Sequence, residues 1–175
     1  MTMRAIAERA GVALDTVYEV TGKKPLLARL LVETAISNSD QAVPAEQREY
    51  VKRIKATPDA RTKLAMYAAA VVEIHGRLAP LMRALEGAAA RHPELGELRR
   101  EISDRRARNM RLLAAELVAT GATRRELDLE RIADVLWALA TPELYLMLVE
   151  QRGWSPRDVE GWLSDSWVRT LLEQT

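Results

Sequence analysis

Apolar residues recur at three- to four-residue spacing along nearly the whole 175-residue chain, which is the period of an amphipathic helix. β-branched residues nowhere alternate with polar ones over a strand length, and Ala, Leu, Arg and Glu dominate, all of them good helix formers. The pattern predicts an all-α fold. A first helix is expected over residues 3–10, with Thr2 as its cap and Met3, Ile6, Ala7 and Ala10 on one face. Gly11 suits the left-handed cap at its end. A second short helix is expected over residues 14–20, ended by Gly22, and a longer one from Lys24. Pro25 falls in the first turn of that helix, where a missing N–H costs nothing.

Residues 37–44 ("SNSDQAVP") are polar and closed by proline, which predicts a boundary between a head, 1–42, and a body, 43–175. In the body, helices are expected over residues 46–56 and then from the turn at 57–59 to about Ala79, with a break at Pro80. A further helix runs to about Ala90, His92 and Pro93 interrupt it, and a long helix continues to about Thr120, ended by Gly121. Asp128 caps a helix to about Arg152 with Pro142 as a kink. Gly153 closes that helix, and Ser155 followed by Pro156 opens the last one, to about Glu173. There is no internal repeat or low-complexity tract.

Composition narrows the function classes. With 48% hydrophobic and 29% charged residues, the chain can build a core and is not of disordered type. The absence of cysteine removes disulfides, thiolate metal sites and cysteine nucleophiles. His75 and His92, the two histidines, leave little for a metal centre or a triad. No catalytic residue, metal or cofactor is therefore expected, and the chain is not expected to be an enzyme. The apolar runs "LARLLV" and "LYLMLV" are too short to cross a bilayer, and the charged N-terminus lacks the apolar core of a signal peptide. A cytoplasmic location with no membrane partner is the expectation. A net charge of +1 gives no global attraction to nucleic acid, so any DNA affinity must be local. Even residues 1–38 are nearly neutral, with Arg4, Arg9, Lys23, Lys24 and Arg29 against Glu8, Asp15, Glu19 and Glu33.

Residues 3–20 fit a helix-turn-helix, whose second helix lies in the major groove. Val17 and Thr21 are expected to face inward, and Leu14, Asp15, Thr16, Tyr18, Glu19 and Val20 outward or sideways. Many helical bundles contain such a pair, but the specific string is more informative. "TMRAIAERAGVALDTVYEVTGKKPLLARLL" resembles the DNA-binding head of the TetR/AcrR family of transcriptional regulators. The matching residues are Thr2, Met3, Arg4, Ile6, Ala7, Ala10, Gly11, Val12, Thr16, Val17, Tyr18, Gly22, Lys24 and Leu27. The strongest element is Thr-Val-Tyr, then Gly-x-Lys, then leucine; the match spans residues 2–36, and the remainder agrees in being helical and of family length.

The resemblance implies a homodimer that binds a palindromic double-stranded DNA operator through its heads, a repressor released by a small apolar or amphipathic effector in the body. It implies that Tyr18 and Lys24 meet phosphates, that Thr16 meets a phosphate or a base edge, and that Thr2 or Arg4 touches the backbone. Such contacts orient the protein without reading sequence. Leu14, Asp15, Glu19 and Val20 hold the base-facing positions; an apolar side chain can touch a thymine methyl, and a carboxylate can accept from a cytosine amino group. A solvated helix face is the other reading of Asp15 and Glu19. Two features depart from the family. Thr21 stands where a large aromatic is usual, which implies looser packing. The family also carries a helix before Met1, Thr2 and Met3 that covers the apolar faces around Ile6 and Leu31. Three or four side chains left wet amount to about 5–10 kcal/mol, comparable with the stability of a domain. The head is thus expected to fray or to cover that face with a partner chain, and the expected reason is a chain that starts after the missing helix.

In the body, His75 shares a helical face with Tyr67 and Val71; it either lines a pocket or is partly exposed and locally bonded. Leu95, Leu98, Ile102, Leu113 and Leu117 mark an apolar stripe interrupted by Arg105 or Arg106 and by Asn109. Glu101 with Arg105 and Asp104 with Arg108 are spaced for ion pairs on a solvated face. The alternative puts Arg106 or Asn109 at a cavity wall, with Met66, Tyr67, Met82, Met110, Trp137 and Tyr145 as lining. All four tryptophans, Trp137, Trp154, Trp162 and Trp167, are expected on the last two helices with the run "LYLMLV". Trp137, Leu144, Leu148, Trp162 and Trp167 are the expected dimer interface, the other reading being intrachain core. The competing functional reading is a dimeric ligand-binding or protein-interaction helical bundle whose head no longer binds DNA.

Overall fold

The computed structural model describes residues 2–22, 24–39 and 43–173. Met1, Lys23, residues 40–42 and residues 174–175 lie outside them, so the expected boundary at residue 42 falls where nothing is described. The chain is all-α: among the described residues the one β-type pairing is an isolated bridge between Thr123 and Leu172. The helices are α1 (Met3–Ala10), α2 (Leu14–Thr21), α3 (Lys24–Ser37), α4 (Glu49–Ala56), α5 (Ala60–Ala89), α6 (Pro93–Val118), α7 (Leu129–Leu139), α8 (Pro142–Leu146) and α9 (Pro156–Leu171). A 3-10 turn, Ala45–Gln47, precedes α4, and a π-helical turn, Met147–Gln151, follows α8.

Local chemistry sets most of the ends. The Thr2 hydroxyl accepts from the Ala5 N–H at 3.1 Å and caps α1. Gly11 ends it at φ 67°, a conformation a Cβ disfavours. Gly22 ends α2 at φ 61°, where a Cβ would also come within 2.9 Å of Leu26 Cδ2. Asp128 caps α7 through the Arg131 N–H. Ser155 and Asp158 form a reciprocal capping box at the start of α9.

Three hydrophobic clusters organise the packing. The largest joins α4, α5, α6, α7, α8 and α9 around Trp167, Leu64, Leu117, Ile132, Leu136 and Leu171, all fully buried. A second joins Val32 and Ala35 of α3 to Leu78, Met82 and Leu85 of α5 and to Leu95, Leu98 and Ile102 of α6. The third lies in the head: Met3, Ala7 and Val17, flanked by Ile6, Leu14 and Leu27. The second half of α3 therefore belongs to the body's packing, and Arg77 Nε donates to the Ala35 carbonyl near the end of α3 at 3.0 Å. Lys63, buried in α5, ties α4 to α6 by donating to the Ile54 carbonyl at 2.7 Å and to Glu116 at 3.2 Å.

Several expectations are corrected. Pro80 does not break the chain; α5 runs through it. Its lost bond concerns the Gly76 carbonyl, and both residues are exposed while Leu78, Ala79 and Met82 anchor the opposite side of the helix. Pro142 is no kink within one helix. Ala140 leaves helical geometry at φ −90° and ψ 43°, and Thr141 caps a new helix by accepting from the Leu144 N–H at 3.1 Å. Ala10 is exposed rather than inward, and Thr21 is half-buried with its hydroxyl donating to the Val17 carbonyl. Trp154 sits between helices, not on one.

Leu129–Gln151, taken as one stretch, is long and apolar enough to cross a membrane by length and composition, with a mean hydropathy of 1.5, against the expectation that no run is. It is interrupted at Ala140 and Thr141, and bare backbone groups are costly in hydrocarbon. Only 33% of its most apolar window is buried, so part of its apolar surface faces outward.

Candidate functional site: a head groove and a body cavity

Helix α2 is short and held by few contacts, so its side chains divide sharply. Val17 is buried, Leu14 is half-buried against the head cluster, and Asp15, Thr16, Tyr18, Glu19 and Val20 are exposed. Leu14 is thus partly core, the sideways one of the positions expected to face outward or sideways. Thr2, Met3, Arg4, Leu14, Tyr18 and Lys24 line one hollow between the starts of α1 and α3. Arg4 and Lys24 are exposed and Tyr18 is 45% exposed. No described residue pairs with these three polar ends, so a cation, a second cation and a phenol face one hollow. Further along α3, Leu26, Leu30 and Leu31 are exposed at 47%, 41% and 46%.

The body holds a cavity of about 180 Å³ between α3, the 45–55 segment, α5 and α6. Tyr67, His75, Arg106, Asn109 and Met110 line it as expected, together with Arg105. Met66, Met82, Trp137 and Tyr145 do not. Met82 is spent in the second cluster, and Met66 accepts from the Thr57 hydroxyl and packs on the main core. Trp137 lies under the Arg106 guanidinium at 4.5 Å, and Tyr145 backs His75 edge-on at 5.9 Å. The wall formed by Arg48, Tyr50, Val51 and Ile54 was missed. Its signal was the apolar spacing of Tyr50, Val51 and Ile54, the face α4 turns inward.

The polar groups of this cavity are unusual. His75 is buried rather than partly exposed, at 3%. Burial, reinforced by the nearby Arg106 charge, pushes its pKa down to about 3, so the imidazole is neutral. No described residue hydrogen-bonds to its ring or to the Asn109 amide. The Tyr67 hydroxyl donates to Met110 Sδ at 3.2 Å, and burial raises its pKa well above the ordinary phenol value. Arg106 donates through Nη1 to the carbonyls of Trp137, at 2.8 Å, and Ala140. Burial lowers the pKa of its guanidinium below the ordinary arginine value, and no described carboxylate forms an ion pair with it. Arg105 differs: it pairs with Glu33 of α3 at 2.7 Å, while its Nη2 is buried with no acceptor among the described residues.

Of the two ion pairs expected within α6, Glu101 with Arg105 is replaced by pairs to α3, and no salt bridge joins Asp104 to Arg108. Glu101 grips Arg29 through two bonds of 2.5 Å, and Arg105 takes Glu33. The Arg29 guanidinium holds the Glu101 carboxyl below its usual range. The helix that lines the cavity is thereby bound to the last helix of the head.

On the far side, Trp167 is fully buried and stacks on Tyr67 at 5.4 Å, which removes it from any interface. Leu144, Leu148, Trp137 and Trp162 are half-buried, and Met147 is 43% exposed. Among the described residues no cluster of three or more His, Asp or Glu side chains is placed to hold a metal ion. The chain matches no protein-family model, no curated protein and no solved structure.

Proposed function

We propose that the chain is a DNA-binding transcriptional regulator of TetR type, a cytoplasmic homodimeric repressor released from a palindromic operator by a small effector. The observation that carries this reading is the hollow in the head. Thr2, Arg4, Tyr18 and Lys24, the side chains the family resemblance assigns to phosphates, line one surface with Leu14, beside the exposed face of α2. A near-neutral chain can grip DNA there because phosphate contacts need only a few well-placed donors. The cavity and its ion-paired connection to α3 support an effector in the body. The outward apolar surface of Leu129–Gln151 supports a second copy as its cover.

The acidic side chains Asp15 and Glu19, both exposed on α2, favour a second reading: a dimeric ligand-binding or protein-interaction bundle whose head no longer binds DNA. Selection of duplexes from a random pool, followed by a salt titration on the best and on random duplex, separates the two. A regulator enriches a palindrome and loses affinity steeply with salt, about 0.9 in log–log slope per phosphate contacted. Lys24→Ala then weakens every duplex alike, and Glu19→Gln changes preference at one base position. Weak, flat binding without an enriched sequence refutes the regulator.

A further inference from the structure

The cavity lining holds more cations than anions, Arg48, Lys55, Arg105 and Arg106 against Glu46 and Glu116. Of its cations, Arg105 is matched by Glu33, and of its anions, Glu116 is shared with Lys63. Arg106 has two carbonyls, the face of Trp137 and the more distant field of Glu143, with which it forms no ion pair, and a largely desolvated cation favours an anionic partner. Two more groups have unused hydrogen-bonding capacity: the neutral imidazole of His75, almost wholly buried, and the Asn109 amide one helical turn from Arg105 and Arg106. Around them the wall is apolar: Ile54, Val71, Ile74, Leu78, Ile102 and Leu113. A cavity of about 150 Å³ holds benzene, and this one, at about 180 Å³, holds little more than one ring or a short branched chain.

We propose that the cavity binds a small organic acid, a single ring or short branched chain bearing one carboxylate, which Arg106 and Asn109 receive with the His75 N–H. The carboxylate supplies the countercharge for Arg106 and acceptors for the idle donors, while the apolar part fills the space between α4 and α6. Charge-assisted bonds of this kind are about twice as strong as neutral ones, so charge and not only shape selects the ligand. The inference deepens the reading of this cavity as an effector site but is tested without DNA. Its failure leaves operator binding untouched, and failure of operator binding leaves the acid site standing.

The test is calorimetric titration of the full chain with benzoate, phenylacetate and cyclohexanecarboxylate, each beside its uncharged amide. At least one acid is expected to bind about tenfold or more tightly than its amide, with the His75 ring resonances moving in step with saturation. Arg106→Met and, as a milder variant that spares the end of α7, Asn109→Leu are each expected to weaken the acid several-fold and the amide little. Equal affinity of acid and amide, absence of binding by all three acids, or acid binding unchanged in both variants with silent His75 resonances would overturn the proposal.

Discussion

His75 offers the sharpest test of the body's architecture. In the unfolded chain its imidazole has the ordinary value near 6.5, whereas in the fold burial beside Arg106 pushes it down to about 3. The unfolded state therefore takes up a proton as the pH falls through 6.5, and the native state does not until far lower. The stability that depends on neutral His75 is complete above 6.5 and drains away between 6.5 and 3. Integrating the linkage from pH 7.5 to pH 5.0 gives a loss of about 2 kcal/mol. Asp59, Asp158 and Glu101, whose pKa values lie below the carboxylate range, lose their contributions only at lower pH, and they are common to a His75→Gln variant. The assay is urea unfolding of both proteins, followed by helical circular dichroism at pH 7.5 and 5.0. At a slope of about 2 kcal/mol per molar urea, the native midpoint is expected to fall about 1 M further than that of the variant. Parallel midpoints, or a His75 resonance titrating near 6.5, would refute the burial argument.

Three further outcomes probe other parts of the fold. Trp167→Ala removes a fully buried ring stacked on Tyr67 and is expected to cost about 3–5 kcal/mol, read from thermal or urea unfolding; a cost below about 1 kcal/mol would place the ring outside the core. Pro80→Ala restores the bond to the Gly76 carbonyl in the middle of α5 and should stabilise by about 1–3 kcal/mol, with unchanged stability showing that the helix is relaxed at proline. For the proposed homodimer, Met147→Asp, on the exposed side of the π-helical turn, is expected to shift sedimentation toward monomer with helical content unchanged, and an unaltered mass would remove that face as the interface.

Caps and turns were legible in the sequence because they are local. Thr2, Gly11, Asp128 and Ser155 act within a few residues of themselves, and the structure uses each as its side chain or backbone dictates. Pro80 is different, because its outcome is set at long range. Whether a helix survives Pro80 depends on Leu78 and Met82 finding partners on α3 and α6, far away in the chain. Cavity residues were readable where one helix face is both apolar and polar, as at Tyr67 and His75 or Arg106, Asn109 and Met110. Met82 lies on α5 seven residues beyond His75, where α3 and α6 cover it, and the helical period alone does not tell where along a buried face the cavity ends. The charges of α6 show the same limit: Glu101 and Arg105 are spaced to pair with each other, but Arg29 and Glu33 reach them first.

The tryptophans give the molecule a built-in division of its optical signal. All four lie at or beyond Trp137, and the chain has no phenylalanine, so indole emission comes from the body and the head contributes no indole. Trp137 lies under the guanidinium of Arg106, a residue that also lines the cavity, and so shares a neighbour with that site, while Trp167 is sealed in the core. Melting of α1 and α2 would pass almost unseen in such a spectrum, and a single-indole protein retaining Trp137 would turn the cavity into its own fluorescent gauge.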